Sequence, residues 1–315
     1  MFRNVMVPVD GSSFSREAVL QGLRLASLYG ATLRLVRVAS TTPFSAGSEA
    51  VEFDSGTDGG VHAEELADLY KIAAECRAHS TISVTASLER GPIVDALCGY
   101  ARRNGVDVIV MRSHARRGFA RIWFGSVADA LIRDSGLPVL VVRPPSVSTA
   151  IERGFSFRRI LVPLDGSVLA EQALPRAVSL AKQEGATIVL TMIVQASDSS
   201  DGSLVSPNGP ASDREVSAAK SYLDSIAARY NRGVRTMTRV LVAEDVPSAI
   251  LAAAEDYEID LIAMATRGQG MMARTIGGSV SDQVMRESIT STLIIHPIAR
   301  TMTPYQAELS MTATA

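Results

Sequence analysis

The stretch Phe2-Arg3-Asn4-Val5-Met6-Val7-Pro8-Val9-Asp10-Gly11-Ser12 returns 155 residues later as Phe157-Arg158-Arg159-Ile160-Leu161-Val162-Pro163-Leu164-Asp165-Gly166-Ser167. A chain that opens the same way twice is read as a tandem of one structural unit. It also closes twice: residues 106–144 align without a gap on 259–297 with 13 identities, among them Asp107/Asp260, Met111/Met264, Gly125/Gly278 and Ser126/Ser279. Between the copies lies Pro144-Pro145-Ser146-Val147-Ser148-Thr149. Its prolines withhold ladder donors and its small polar residues offer a core little. The expected domains are therefore 1–150 and 151–298, followed by a tail at 299–315.

Within each copy, short apolar runs alternate with longer amphipathic ones, the pattern of a parallel sheet with helices on both faces. Strands are expected near 3–9, 31–39, 81–88, 106–112 and 138–142, and again near 158–164, 186–194, 234–242, 260–266 and 292–296. Helices are expected near 14–29, 61–78, 92–103 and 126–134, then 169–183, 213–230, 247–257 and 279–287. The fold class is α/β: two Rossmann-like, doubly wound domains, each a five-stranded parallel sheet in the order 3-2-1-4-5. That order opens a crevice between the carboxyl ends of strands 1 and 4, where ligands of open α/β sheets bind. Residues 40–60 and 195–212, rich in Ser, Gly and Asp, are read as mobile loops beside the crevice, either lids or plain disorder.

At the crevice the chain places Asp10-Gly11-Ser12 and Asp165-Gly166-Ser167 after strand 1. Turn and cap chemistry alone explains such residues as well as ligand binding does. Strand 4 of the second copy adds Met264-Ala265-Thr266-Arg267-Gly268, leading to Gly277-Gly278-Ser279-Val280 at a helix start. Glycines let main-chain N–H groups approach phosphate oxygens, and a helix N-terminus adds donors and a favourable dipole. A helix cap on a flexible loop is the plainer alternative.

With these motifs the chain resembles the universal stress proteins in their tandem two-domain form, over nearly all of its length before about Ile298. The family's ATP-binding members carry, after strand 4, a glycine, two residues, a glycine, nine residues, then glycine and Ser or Thr. Copy two reads Ala265-Thr266-Arg267-Gly268, nine residues, Gly278-Ser279, with one glycine replaced; copy one reads Arg112-Ser113-His114-Ala115, nine residues, Gly125-Ser126, with both leading glycines gone. The resemblance implies that Pro163, Asp165, Gly166, Ser167, Ile193, Met264, Ala265, Gly268, Gly278, Ser279 and Val280 enclose adenine, ribose and phosphates. Their counterparts are Pro8, Asp10, Val38, Met111, Gly125, Ser126 and Val127. ATP is the implied ligand, with Mg2+ or Mn2+ carried on its phosphates rather than in a dedicated site. The long side chain of Arg112 could block copy one or pair with phosphate; blockage is the reading taken, so ATP is expected mainly in the second domain. The resemblance also implies that the copies dock through their apolar last strands, and a homodimer of the chain is a further expectation.

Other chemistries find less support. The net charge of −2 provides no long-range attraction for nucleic acid or anionic membrane, and no apolar run nears the ~18 residues of a membrane span. The start lacks a secretory leader, and Cys76 and Cys98 fit no disulfide, zinc or haem spacing, so a cytoplasmic protein is expected. His62, His79, His114 and His296 have no metal-ligand spacing. Gly268-Gln269-Gly270-Met271-Met272-Ala273 matches a dinucleotide fingerprint but follows the wrong strand. No lysine-bearing P-loop or G-x-S-x-G elbow occurs. Arg112, Arg116, Arg117 and Arg121, interleaved with Phe119, Trp123 and Phe124, read as a surface loop, a nucleic-acid stripe or a wall of a different pocket. Three function classes stay open: a nucleotide-binding regulatory protein that is not an enzyme, a slow ATPase or dinucleotide-dependent enzyme, and a non-nucleotide scaffold or apolar-ligand carrier. The glycine-bearing loop favours the first.

Overall fold

The computed structural model describes residues 2–39, 57–112, 125–143, 156–195, 213–230, 233–266 and 280–296 of the chain. It divides into two compact units, Met1–Arg143 and Pro144–Ala315. Unit 1 contains β1 (Asn4–Pro8), α1 (Ser13–Tyr29), β2 (Thr32–Val38), α2 (Thr57–Ala78), β3 (Val84–Glu89), α3 (Ile93–Arg103), β4 (Val108–Arg112), α4 (Ser126–Asp134) and β5 (Val139–Val142). Unit 2 contains β6 (Arg159–Leu164), α5 (Val168–Glu171), α6 (Leu174–Glu184), β7 (Thr187–Gln195), α7 (Asp213–Tyr230), β8 (Arg235–Ala243), α8 (Val246–Asp256), β9 (Leu261–Ala265), α9 (Val280–Glu287) and β10 (Ser291–Ile295).

All strands of unit 1 run parallel in the order β3-β2-β1-β4-β5. Unit 2 repeats it as β8-β7-β6-β9-β10, so the doubly wound arrangement expected from the alternation of strands and helices is present in both. Central strands are covered on both faces: Val5, Met6 and Val7 in β1, and Val108, Ile109 and Val110 in β4, have no exposed surface. That double burial is why they read as unbroken apolar runs rather than alternating ones.

One pair of residues identical in the two copies is structural. Asp107 Oδ2 accepts hydrogen bonds from the backbone N–H groups of Arg3 (2.7 Å) and Asn4 (2.9 Å). Asp260 Oδ2 does the same for Arg158 (2.7 Å) and Arg159 (2.9 Å). Each carboxylate ties the start of the first strand to the start of the fourth, satisfying amides with no strand partner there. The crevice lies at the opposite end of these strands.

Two expectations need correction. The helix expected over 169–183 is two helices, α5 and α6. Pro175 has no N–H for the Glu171 carbonyl, so the ladder breaks and the chain tightens. Gln172 and Ala173 donate instead to carbonyls three residues back, Leu169 and Ala170 (both 3.1 Å). The counterpart of Pro175 in copy one is Leu20, and α1 runs unbroken through it. The second helix of copy one also starts earlier than expected, so residues 57–60 are helical rather than loop. The remainder of the two expected loops, 40–56 and 196–212, lies outside the described residues, as do 268–273, 116–124 and the tail.

Candidate functional site

Strand register defines which residues of the two units are equivalent. Pro8 pairs with Val36 and Pro163 with Thr191, so an offset of 155 relates the first two strands of each unit. Val5 pairs with Val108 and Ile160 with Leu261, so β4 and β9 are related by an offset of 153. Arg112 and Ala265 therefore close equivalent strands beside equivalent Asp-Gly-Ser turns.

Both turns are built alike. Asp10 Oδ1 accepts from the Ser12 N–H (2.9 Å), and Asp165 Oδ1 from the Ser167 N–H (2.9 Å). Between them Gly11 and Gly166 adopt φ of 81° and 78°, a conformation that disfavours any side chain. The serine hydroxyls cap the following helices: Ser12 Oγ accepts from Ser15 N–H (3.2 Å) and Ser167 Oγ from Ala170 N–H (3.1 Å). Turn and cap chemistry is thus present in full, and it holds each aspartate at the mouth of the crevice beside an exposed main chain.

The other candidate residues distribute as follows. Pro163 and Met264 are buried in β6 and β9, while Ala265 and Ile193 are half-buried near the carboxyl ends of β9 and β7. In unit 1, Pro8 and Val38 are half-buried at strand ends and Met111 is buried in β4. Gly125 is the N-cap of α4, with Ser126 exposed at its first position and Val127 half-buried behind it. Val280 opens α9 and is 38% exposed. Gly268, Gly278 and Ser279 lie outside the described residues. The structure thus brings the strand-end residues of each copy to one sheet end, on neighbouring strands.

Several neighbours of this site went unmarked by sequence reasoning. Thr266 follows β9, its N–H donates to the Ile295 carbonyl (3.0 Å), and its buried Oγ1 has no hydrogen-bond partner among the described residues. In unit 2, Tyr222 of α7 donates its hydroxyl to Glu171 Oε1 (3.0 Å), and Arg229 pairs with Glu171 Oε2 (3.0 Å). Burial pushes the Tyr222 phenol up, with the charge of Glu171, their hydrogen bond and the nearby Asp165 carboxylate adding to it. In unit 1, Arg37 of β2 pairs with Glu65 (3.3 Å) and Asp68 (3.4 Å) of α2. No signal in the sequence links these residues, because each pair joins different elements.

Partial burial works to raise the Asp10 carboxyl, but hydrogen bonds from the side chain and backbone of Ser12 and from Ser15 outweigh it and hold the group below the ordinary 3.8. A depressed folded-state value stabilises only the ionised form: the contribution is complete above the unfolded value and is lost as pH falls through the folded one. Asp10→Asn should therefore destabilise unit 1 at neutral pH, with the gap to wild type closing below about pH 4. Chemical denaturation at a series of pH values checks this; a gap of constant size down to acid pH would assign the stabilisation elsewhere.

Among the described residues no cluster of His, Cys, Asp and Glu could hold a metal ion, and no helix is long and apolar enough to cross a membrane. Cys76 and Cys98 are free and buried, and burial raises both thiols.

The fold and its turns define a tandem of open-sheet α/β units, each with a switch-point crevice edged by an Asp-Gly-Ser turn. Residues 1–143 and 156–296 match the universal stress protein family, and the chain belongs to that family. A universal stress protein of Mycolicibacterium smegmatis is 23% identical over 301 residues, covering 93% of this chain and 97% of the relative. One from Mycobacterium tuberculosis is 25% identical over 290 residues, covering 89% and 92%. Among solved structures, a universal stress protein of Archaeoglobus fulgidus superposes with a TM-score of 0.70 at 20% identity, covering 93% of this chain and 98% of that one. At that identity the likeness is one of fold.

Proposed function

We propose that this chain is a regulatory adenine-nucleotide-binding protein that holds ATP in the crevice of unit 2, with Mg2+ or Mn2+ travelling on the phosphates. The observation that carries the reading is the open turn after β6. Gly166 sits at φ 78° with no described atom within 4 Å of where a Cβ would be, next to Asp165, and the neighbouring strand β9 ends in the small Ala265. Uncovered main chain at a switch point is what a nucleotide needs in such a sheet. Family membership supports the same ligand. Gly268, Gly278 and Ser279 would supply phosphate donors through the anion affinity of a helix start.

Binding rather than turnover is proposed, because the motif offers main-chain donors and the sequence carries no lysine-bearing P-loop. The free thiols suit a reducing cytoplasm. Mass spectrometry of small molecules retained on the purified full chain, with calorimetric titration of ATP, tests the proposal. One ATP bound per chain with no sustained phosphate release is expected. A chain that retains no nucleotide and gives no heat with ATP would refute it, and multiple turnovers would make it an ATPase.

A further inference from the structure

Unit 1 has the same turn as unit 2, but two arginines lie against its crevice. Arg112, at the end of β4, is only 10% exposed in its side chain and ion-pairs through Nη1 with Glu17 Oε1 of α1 at 2.5 Å. Its guanidinium carbon lies 4.7 Å from the centre of the Phe14 ring, also in α1. The side chain therefore crosses from the fourth strand to the first turns of the helix that follows β1, over the mouth of the crevice. Ion pairing on one side and a ring face on the other hold a planar guanidinium better than either would alone.

The second arginine lies beside the turn, whose Gly11 stays exposed. Arg37 Nη1 stands 3.3 Å from where a Cβ on Gly11 would lie. Arg37 is 16% exposed and anchored by Glu65 and Asp68, whose second oxygen also meets Arg16 at 3.6 Å. By strand register and the shared caps, the equivalents in unit 2 are Ala265 for Arg112, Met192 for Arg37, Gln172 for Glu17 and Leu169 for Phe14. Both arginines and the Glu17 carboxylate are replaced together; both glycines are exposed, but the Arg37 guanidinium stands beside Gly11 while no described atom lies within 4 Å of a Cβ position on Gly166.

We infer that the crevice of unit 1 is occupied by the chain's own guanidinium groups, and that the Arg112–Glu17–Phe14 clasp, with Arg37 beside Gly11, is what denies it a nucleotide. The inference rests on the reading of unit 2 as the ATP site. Neutralised by carboxylates from α1 and α2, the two arginines have no net charge left to recruit phosphate, and Arg112 spans the gap between β4 and α1 that a ligand would enter. The clasp is a device for inequality: two copies of one fold, one open and one shut.

The test uses the full chain and photolabelling with 8-azido-ATP, mapped by peptide mass spectrometry, so that each unit reports separately. In wild type, label is expected in unit 2 and not in unit 1. Glu17→Gln/Arg112→Ala, which copies the residues of unit 2, should raise labelling of unit 1 at least about tenfold, and Arg37→Met should raise it further. The reverse transplant, Gln172→Glu/Ala265→Arg, should depress labelling of unit 2 at least about tenfold, with its thermal unfolding retained as the folding control. Label on wild-type unit 1, or unit 1 still dark in the opened variant and unit 2 still labelled after the reverse transplant, would overturn the clasp. An unlabelled unit 2 in wild type would instead strike at the proposed function, and labelling of unit 1 in the opened variant would still decide the clasp.

Discussion

Substituting Asp165 by alanine is expected to weaken ATP binding by about ten- to a hundredfold, the loss that follows from deleting a charged hydrogen-bond acceptor. One carboxylate oxygen is committed: Oδ1 holds the Ser167 N–H at 2.9 Å and shapes the turn. The other, Oδ2, makes no hydrogen bond among the described residues and is the acceptor offered to a ligand hydroxyl under the proposed function. Two losses combine in Asp165→Ala, that of the acceptor and that of the brace on the Gly166 turn. Asp165→Asn separates them, since its amide oxygen can still brace the turn while the charge is gone. Calorimetric titration of the three proteins reads the split. A dissociation constant unchanged in Asp165→Ala would remove this aspartate from the site.

The second large effect is on stability, and it distinguishes the units. A Cβ on Gly22, within α1, would stand 2.4 Å from Val7 Cγ2 and 3.3 Å from Leu33 Cδ1. Val7 has no exposed surface and its branched side chain is restricted at χ1, so it has little room to swing aside. Gly22→Ala should gain about 1 kcal/mol of helix propensity and lose more through overpacking, for a net cost of about 2 kcal/mol. Unit 2 has Ala177 at the equivalent place, fully buried, so its helix stands where a methyl fits. Denaturant unfolding of Gly22→Ala, Val7→Ala and the double variant tests the argument. The double variant should cost less than the sum of the singles, and strict additivity would mean that the two groups do not collide.

These two residues mark what could be read in advance. Asp165 announced itself because Asp-Gly-Ser recurs at a fixed offset after an apolar strand, and the position of that strand in the sheet follows from its connections. Gly22 gave no such signal: a glycine within a helix-patterned run is a weak propensity defect until the strand beneath it is known. The same contrast runs through the crevice. Arg112 stood out in the sequence as the wrong residue in a glycine's place, but its partners did not. Glu17 and Phe14 sit on a helix early in the chain and meet Arg112 only once β1 and β4 are neighbours. Arg37 reads as one more residue of an amphipathic strand, and only the pairing of β1 with β2 brings it beside Gly11. The break between α5 and α6 was legible in principle, since Pro175 alone accounts for it.

The repeat, the alternation of strand and helix and the strand order were contained in the sequence, because periodicity and connection length are local or nearly local properties and a parallel sheet admits few windings. Membership in the universal stress protein family followed from the same residues. The expected inequality of the two crevices was also legible, in Arg112 standing where unit 2 has Ala265; only tertiary structure supplied the partners of that arginine, Glu17 and Phe14, because ion pairs and ring contacts depend on which distant residues share a few ångströms.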